Sequence, residues 1–349
     1  MNESREVTLP LAAVVELVTL ALVKSGASQP NAASTAAALV AAQVDGQSGH
    51  GLSRVASYAA QVKSGKINGR AQPELTQTRA ASIRVDAKGG FAYPALDLAI
   101  DKLATLTRDT GIAAAGIFAS HHIGQAGRTV ERMAAEGLVA LVVSNTPRAM
   151  VLHGGVQPKL GTNPLAFAAP LQGRQPLVID LALSLVARAK IVAAQKAGKS
   201  IPADWAIDSS GQPTTDANAA MAGALLPAGG AKGSALALML EILCGALAGG
   251  HFAWEATSFL DDQGPSPSVG QMLIAFDVGA FSGPAFAARM TDLLSEVAGE
   301  PNVRLPGERR LVNRERARTT GLTLDAATHS QLNALADGRG QNGHSGATP

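Results

Sequence analysis

Residues 111–127 read GIAAAGIFASHHIGQAG. Gly111 to Phe118 is a run of small and branched apolar residues, predicted as a buried strand, and the polar SHHIGQAG follows it. A helix is predicted next, over Ala126 to Glu136. A strand, a glycine-bearing loop and a helix are where an ordinary dinucleotide-binding fold carries G-x-G-x-x-G. That spacing follows no predicted strand in this chain, so the usual Rossmann fingerprint is missing.

Outward from this stretch the periodicity divides the chain. From about Pro73 apolar and polar residues alternate, with Ile83 and Val85 marking a strand, and Leu96 to Asp109 reads as helix. Leu138 to Val143, Leu165 to Pro170, Leu177 to Leu183 and Met272 to Asp277 are further predicted strands. Before them, Leu11, Val14, Val15, Val18 and Leu22 repeat at helical spacing up to a stop at Gly26. A second helix is predicted from Pro30, with Asn31 in its first turn, to Val44, and a third from Val55 to Lys63. After the strands come helices at 234–248, at Ala285 to Val297 and beyond Arg310. Helices at both ends of a strand-rich middle suggest that the termini pack together as one layer. The domain expectation is therefore 1–72 with 284–336 as a helical domain, 73–283 as the catalytic part, and 337–349 as a disordered tail.

Composition narrows the function classes. Hydrophobic residues make up 46% and charged residues 16% of 349, which points to extensive burial and to oligomerisation. A formal net charge of +2 removes net-charge attraction to nucleic acid. Cys244 is the only cysteine, so an internal disulfide, a cysteine zinc site and a Cys-x-x-Cys pair are excluded, and a reducing, cytoplasmic setting fits. The most apolar segment, Gly233 to Gly250, is interrupted by Glu241 and reads as a buried helix rather than a membrane span. Gly198-Lys199-Ser200 mimics the end of a P-loop, but Ala193 stands where its first glycine belongs.

Four polar, glycine-rich passages remain. In Ser48 to Arg54, His50 and Arg54 pair a proton donor with an anion anchor; the alternative is a helix-start region with a surface arginine. Ser120 to Gly124 ends a strand and offers a ligand loop, or one histidine bonded within a turn. Leu226 to Gly233 presents backbone N–H groups and Lys232 at a helix start, or serves as a tight connection. Arg304 to Arg310 clusters arginines beside Gly307, suited to a phosphate or to a solvated turn.

Taken in order, the motifs HGLSRV (50–55), SHHIG (120–124), LGTNPLAFA (160–168), IDLALSLVARAKI (179–191), IPADWAIDSSGQPTTD (201–216), LLPAGGAKGSALALMLEIL (225–243) and VRLPGERR (303–310) resemble the non-Rossmann malate/L-lactate dehydrogenase family, of the L-sulfolactate dehydrogenase-like type. The resemblance runs from about residue 10 to 335. It implies an α+β fold: a mainly antiparallel seven-stranded sheet wrapped by helices, with a helical domain from both termini, working as a homodimer. It also implies NAD(P)(H) as cofactor and a small anionic substrate; Arg309 and Arg310 in the last motif favour NADP(H) over NAD(H), adjacent histidines and a single cysteine argue for no metal, and charge and hydropathy for neither nucleic acid nor membrane as partner. By the same resemblance His50 is the proton donor, and Arg54 and Thr162 face the substrate; Lys190, where the chain departs from the family's imine reducers, is a further candidate substrate contact. Cofactor contacts fall on His121, His122, Ile123 and Gly124, on Asp180, Leu181 and Ala182, on Ala231 and Lys232, and on Leu305, Pro306, Gly307, Glu308, Arg309 and Arg310. The implied reaction is oxidoreduction of a small 2-hydroxy acid and its 2-oxo acid, of the malate, lactate or sulfolactate kind. The alternative is reduction of cyclic imino acids; a third reading is an inactive ligand-binding member. The family's imine reducers carry Ser before the histidine and Asp further on, where this chain has Gly49 and Lys190. A lysine there cannot orient a histidine as a carboxylate does, and it favours a second negative group on the substrate.

Overall fold

The computed structural model describes residues 6–300 and 302–339. Three helices open the chain, α1 (Leu11–Lys24), α2 (Gln29–Val44) and α3 (Val55–Ser64). The main sheet follows, with strands β1 (Glu74–Arg79), β2 (Ser82–Asp86), β3 (Ile112–Ser120), β4 (Leu138–Ser144), β5 (Leu165–Leu171), β6 (Arg174–Leu181) and β7 (Val269–Asp277). Helices α4 (Ala92–Thr110) and α5 (Ala126–Ala135) lie within this run, and α6 (Arg188–Lys196), α7 (Ala217–Ala222) and α8 (Ala231–Glu241) lie between β6 and β7. The chain continues through α9 (Ala285–Ala298), α10 (Glu308–Thr320) and α11 (Ala326–Ala336).

The sheet runs β1-β2-β3-β7-β4-β5-β6. Only β2 and β3 pair in parallel; every other neighbour is antiparallel, so the expected mainly antiparallel seven-stranded sheet is what the chain forms. Alanine explains how it packs. Ala113, Ala275, Ala140 and Ala168 stand side by side across β3, β7, β4 and β5, all buried. Such a row lets α4 and α5 settle closely on that face, where Leu96, Leu103, Val130 and Met133 fill the core. An aromatic content of 3% suits this spacing.

The termini meet. Strand Val7–Leu9 pairs with Leu322–Leu324 antiparallel, and α11 packs on α1. Asn31, read as a helix-start residue, is also a buried clamp: its Nδ2 donates to the carbonyls of Gly69 (3.0 Å) and Ala71 (2.9 Å).

Several elements differ from the sequence reading. The helix predicted at 234–248 starts at Ala231 and gives way at Ile242–Leu247 to a π-helical turn. There the chain is pressed from outside: a Cβ on Gly245 would stand 2.5 Å from Phe252. Helix α6 and a small four-stranded sheet, ordered Ala206–Ile207, Ala224–Leu225, Met150–Val151, Pro158–Leu160, were not anticipated, because two- and three-residue strands carry no readable period. The tail expected to be disordered lies outside the described residues beyond 339. No helix among the described residues is long and apolar enough to cross a membrane.

Candidate active site

The polar passage before α3 folds as two tight 3₁₀ turns, Ser48–His50 and Leu52–Arg54. Arg54 holds the first of them, its Nε donating to the Gly49 carbonyl at 2.6 Å. Another of its guanidinium nitrogens is buried and has no hydrogen-bond partner. A buried cationic donor left unpaired is costly, and a carboxylate is the group that satisfies it best.

His50 reaches across to the loop after β3. Its Nδ1 lies 3.1 Å from Nε2 of His122, with the rings stacked 5.1 Å apart. His122 is bonded on its other side, Nδ1 to the Tyr58 hydroxyl at 2.7 Å. Burial, assisted by the Arg54 charge, lowers the His50 pKa to about 4, and burial holds His122 well below the usual histidine range. Both rings are therefore neutral at pH 7.

His121 has a different role from its neighbour. Its Nε2 meets Gln61 Oε1 at 2.8 Å, its carbonyl accepts from Gln271 Nε2 at 3.1 Å, and burial takes its pKa to about 3. Phe259 lies 5.1 Å from both histidine rings and lids them from the 251–268 loop. That loop is tied down by Gln61 Nε2 on the Phe259 carbonyl (2.9 Å) and by buried Lys66 on Asp261 (3.1 Å). Ile123 is buried. Gly124 has φ +72°, and a Cβ on it would stand 2.5 Å from the Tyr93 hydroxyl, so only glycine fits.

Thr162 sits where two loops cross: its N–H donates to Thr146 Oγ1 at 2.9 Å and its carbonyl accepts from Leu183 N at 2.8 Å. Next to it, buried Asn163 donates to Glu241 Oε2 at 2.8 Å. Glu241 also accepts from Asn145 Nδ2 (3.0 Å) and Ala253 N (2.6 Å). The residue that interrupts the apolar helix in sequence is thus the acceptor joining three segments.

The edge strand β6 gathers the remaining predicted contacts. Asp180 Oδ2 accepts from Gly127 N at 2.8 Å, at the start of α5; burial raises its pKa, partly offset by that N–H and by Arg310. Gly307, at φ +89°, turns the chain against Val178 and into α10. Leu305 is half-buried, while Pro306, Glu308 and Arg309 are exposed. Arg310 is buried, 3.4 Å from Glu131 and with its Nε unpartnered, in a cluster where Arg314 also pairs with Glu131 (2.7 Å) and Asp45 (2.6 Å). Leu181 and Ala182 are exposed, and past them Leu183 and Leu185 bond to the 226–228 connection that leads to Ala231 and Lys232, both exposed at the start of α8. Lys190 is exposed on α6, with its ammonium 6.0 Å from the Trp205 ring centre. Its neighbour Ala189 lies 3.8 Å from where a Gly49 side chain would begin, so α6 flanks the His50 turn.

The structure thus brings together His50, Arg54 and His122, and separately Asp180, Gly307 and Arg310. Tyr58, Tyr93, Gln61 and Glu241 were missed in the sequence reading. Tyr58 follows Arg54 at one helical turn's spacing and Glu241 breaks an apolar run, both usable signals; Tyr93 and Gln61 have none.

The family model described as malate/L-lactate dehydrogenase matches residues 9–333. A (2R)-3-sulfolactate dehydrogenase (NADP(+)) from Chromohalobacter salexigens is 46% identical over 323 residues, covering 93% of this chain and 96% of that one. The crystal structure of Δ1-piperideine-2-carboxylate reductase from Pseudomonas syringae superposes with a TM-score of 0.90 at 38% identity, over 94% of this chain and 99% of that one. Sulfolactate dehydrogenase from Methanocaldococcus jannaschii gives 0.87 at 27% identity, over 95% and 97%.

Proposed function

Since the chain belongs to the malate/L-lactate dehydrogenase family and is an oxidoreductase of that family, we propose that it interconverts a small 2-oxo acid and its 2-hydroxy acid with NADP(H), NAD(H) being the weaker cofactor. The observation that carries this reading is the buried, unpartnered guanidinium nitrogen of Arg54 beside His50. It fits a substrate carboxylate, and the adjacent carbonyl then falls to His50.

Among the cofactor-loop positions, Ala231 and Lys232 at the α8 start and Arg309 at the α10 start present exposed donors to an anion, as a dinucleotide needs. When bound, the nicotinamide supplies hydride to the carbonyl carbon. Arg54 anchors the carboxylate, and Phe259 and the loop behind it shield the histidine pair from water. His50 engages His122 through Nδ1, which leaves Nε2 to protonate the carbonyl oxygen. The exposed Lys190 on α6 adds positive potential beside this turn, which favours a second anionic group such as a sulfonate or carboxylate. The 46%-identical relative, a sulfolactate dehydrogenase, points the same way.

Cyclic imine reduction is the second reading, favoured by the similarity to the Pseudomonas syringae reductase. Gly49 and Lys190 stand against it. An absorbance assay with sulfopyruvate, oxaloacetate, pyruvate and the five- and six-membered cyclic imines, each with NADPH and NADH, separates the two. Imine turnover without 2-oxo acid turnover overturns the proposal. We also propose that residues 1–72 and 284–336 act as a helical domain. A homodimer is proposed to form over the exposed apolar face of Leu238, Met239, Ile242 and Leu247.

A further inference from the structure

We propose that Gln61 is a positioning residue: it fixes His121 in one neutral form and ties it to the Phe259 lid, so that the loop after β3 presents His122 to His50 in a single orientation. The inference rests on the reading of His50 as the proton donor. The loop starts from strained backbone. Ile117 pairs with Gln271 of β7 and Ser120 with Val269, so two residues of β3 oppose one of β7, and Ala119 in that bulge has φ +48°. A residue with a side chain keeps such a conformation only where its surroundings impose it. Three hydrogen bonds do so here. The Ala119 carbonyl accepts from Gly89 N at 2.8 Å, the His121 carbonyl accepts from Gln271 Nε2 at 3.1 Å, and the His121 ring meets Gln61 Oε1 at 2.8 Å through Nε2. Among the described residues that ring makes no other hydrogen bond, its Nδ1 being buried without a partner.

Gln61 is fully buried on α3, and its amide fits only one way round. The Phe259 carbonyl, 2.9 Å from Gln61 Nε2, accepts and cannot donate, so the amide nitrogen faces Phe259 and the oxygen faces His121. His121 therefore carries its proton on Nε2. A second proton would bury an N–H at Nδ1 with no acceptor. Around this ring stand Tyr58, Arg54 and Lys66 from α3 and its flanks, Phe259 from the 251–268 loop, and His122 beside it; Asp261 meets Lys66 from that same loop. Burial, helped by the charges of Lys66 and Arg54, opposes protonation. The same amide acts twice, because Phe259, whose carbonyl it holds, stands 5.1 Å from the rings of both His121 and His122. With His121 fixed at ring and carbonyl, and Gly124 confined by Tyr93, His122 keeps only its side-chain rotation. Phe259 and the Tyr58 hydroxyl restrict that rotation to the orientation that meets His50 Nδ1 at 3.1 Å.

Gln61→Glu tests this, because its charge decides whether the Phe259 carbonyl is held. Protonated, the acid donates to that carbonyl and accepts from His121, as the amide does. Ionised, it sets a second acceptor against the carbonyl, and nothing donates between them. Burial raises the pKa of a carboxyl, to about 8–9 in deeply buried sites. The ratio of variant to wild-type kcat should therefore fall by roughly tenfold or more as pH rises from about 6 to about 9. KM for the 2-oxo acid should stay nearly constant, since Arg54 is held separately by Gly49. Gln61→Met, which neither donates nor accepts in this way, should be slow by the same factor at every pH. A Gln61→Glu ratio that does not change with pH, whatever the loss in melting temperature, makes Gln61 merely structural and overturns the proposal. Nitrogen-15 NMR of histidine-labelled, ligand-free wild type at pH 7 needs no variant: His121 should be protonated at Nε2 alone. Protonation at Nδ1 alone, or an imidazolium, overturns the proposal too. If the wild type reduces none of the substrates, the reading of His50 fails by itself; in that case, or if a variant does not fold, the NMR measurement still decides whether Gln61 fixes His121.

Discussion

Arg54 shows how much one side chain does here. Through Nε it fixes the turn carrying His50, and it keeps a buried guanidinium nitrogen without a partner, the basis of its proposed grip on a carboxylate. Lysine keeps the charge but loses the planar two-point grip. Arg54→Lys should raise KM for every carboxylate substrate by roughly tenfold or more, since a charge-assisted hydrogen bond contributes about 1.5–3 kcal/mol. An unchanged KM would show that Arg54 does not touch the substrate. Glu241 works the opposite way, as a buried acceptor for Asn145, Asn163 and Ala253. Glu241→Leu strands these donors, each costing about 1–3 kcal/mol. Urea denaturation should show a loss of several kcal/mol; a variant as stable as the wild type would mean that the donors find other partners. The sequence shows Glu241 only as a break in an apolar run, because its partners come from segments about a hundred residues upstream and a dozen downstream.

At the scale of elements, α10 separates two arginines that are adjacent in sequence. Arg310 is buried against Glu131, whereas Arg309 faces solvent. A 2′-phosphate carries about −1.5 to −2 charge, and of the two arginines the exposed Arg309 is the one that solvent-borne phosphate reaches. Arg309→Ala should weaken NADPH binding more than NADH binding in titration calorimetry. Arg310→Ala should instead lower the melting temperature, because it removes a partner of buried Glu131. Equal losses for both nucleotides with Arg309→Ala would remove it from phosphate recognition. The helix face toward which a side chain points depends on where α10 docks, and spacing within RLPGERR does not contain that information. The period of α1, α4 and α5, by contrast, is legible because each buries one stripe against a neighbour.

Across the whole molecule, buried neutral histidines set an acid limit. In the unfolded chain His50, His121 and His122 titrate near pH 6.5, whereas in the fold burial lowers His50 to about 4 and His121 to about 3, with His122 also lowered. Between these values the unfolded state binds more protons, so stability rises with pH there. The contribution is fully present above pH 6.5 and is lost as pH falls toward 4, by up to about 1.4 kcal/mol per pH unit for each histidine. The melting temperature should therefore drop between pH 7 and pH 5. A flat profile over that window would mean that the rings are not buried neutral. A second molecular-scale outcome concerns assembly. Light scattering should give twice 35.4 kDa for the wild type, and Met239→Glu with Ile242→Glu should give a monomer; an unchanged mass for the variant would place the dimer contact elsewhere.

By itself the sequence determined the helical ends, most of the sheet strands, the absence of the Rossmann glycine loop, the family and the short polar passage that carries both His50 and Arg54. These are signals of local period, or of residues a few positions apart, and a chain carries them wherever it folds. Only the tertiary structure decided that β7 inserts between β3 and β4, that Arg310 is spent on Glu131, and that His122 and Tyr58 stand behind His50. Each of these joins residues separated by dozens to hundreds of positions. Their proximity follows from how an alanine-floored sheet lets its helices close down on it, and that is a property of packing rather than of pattern.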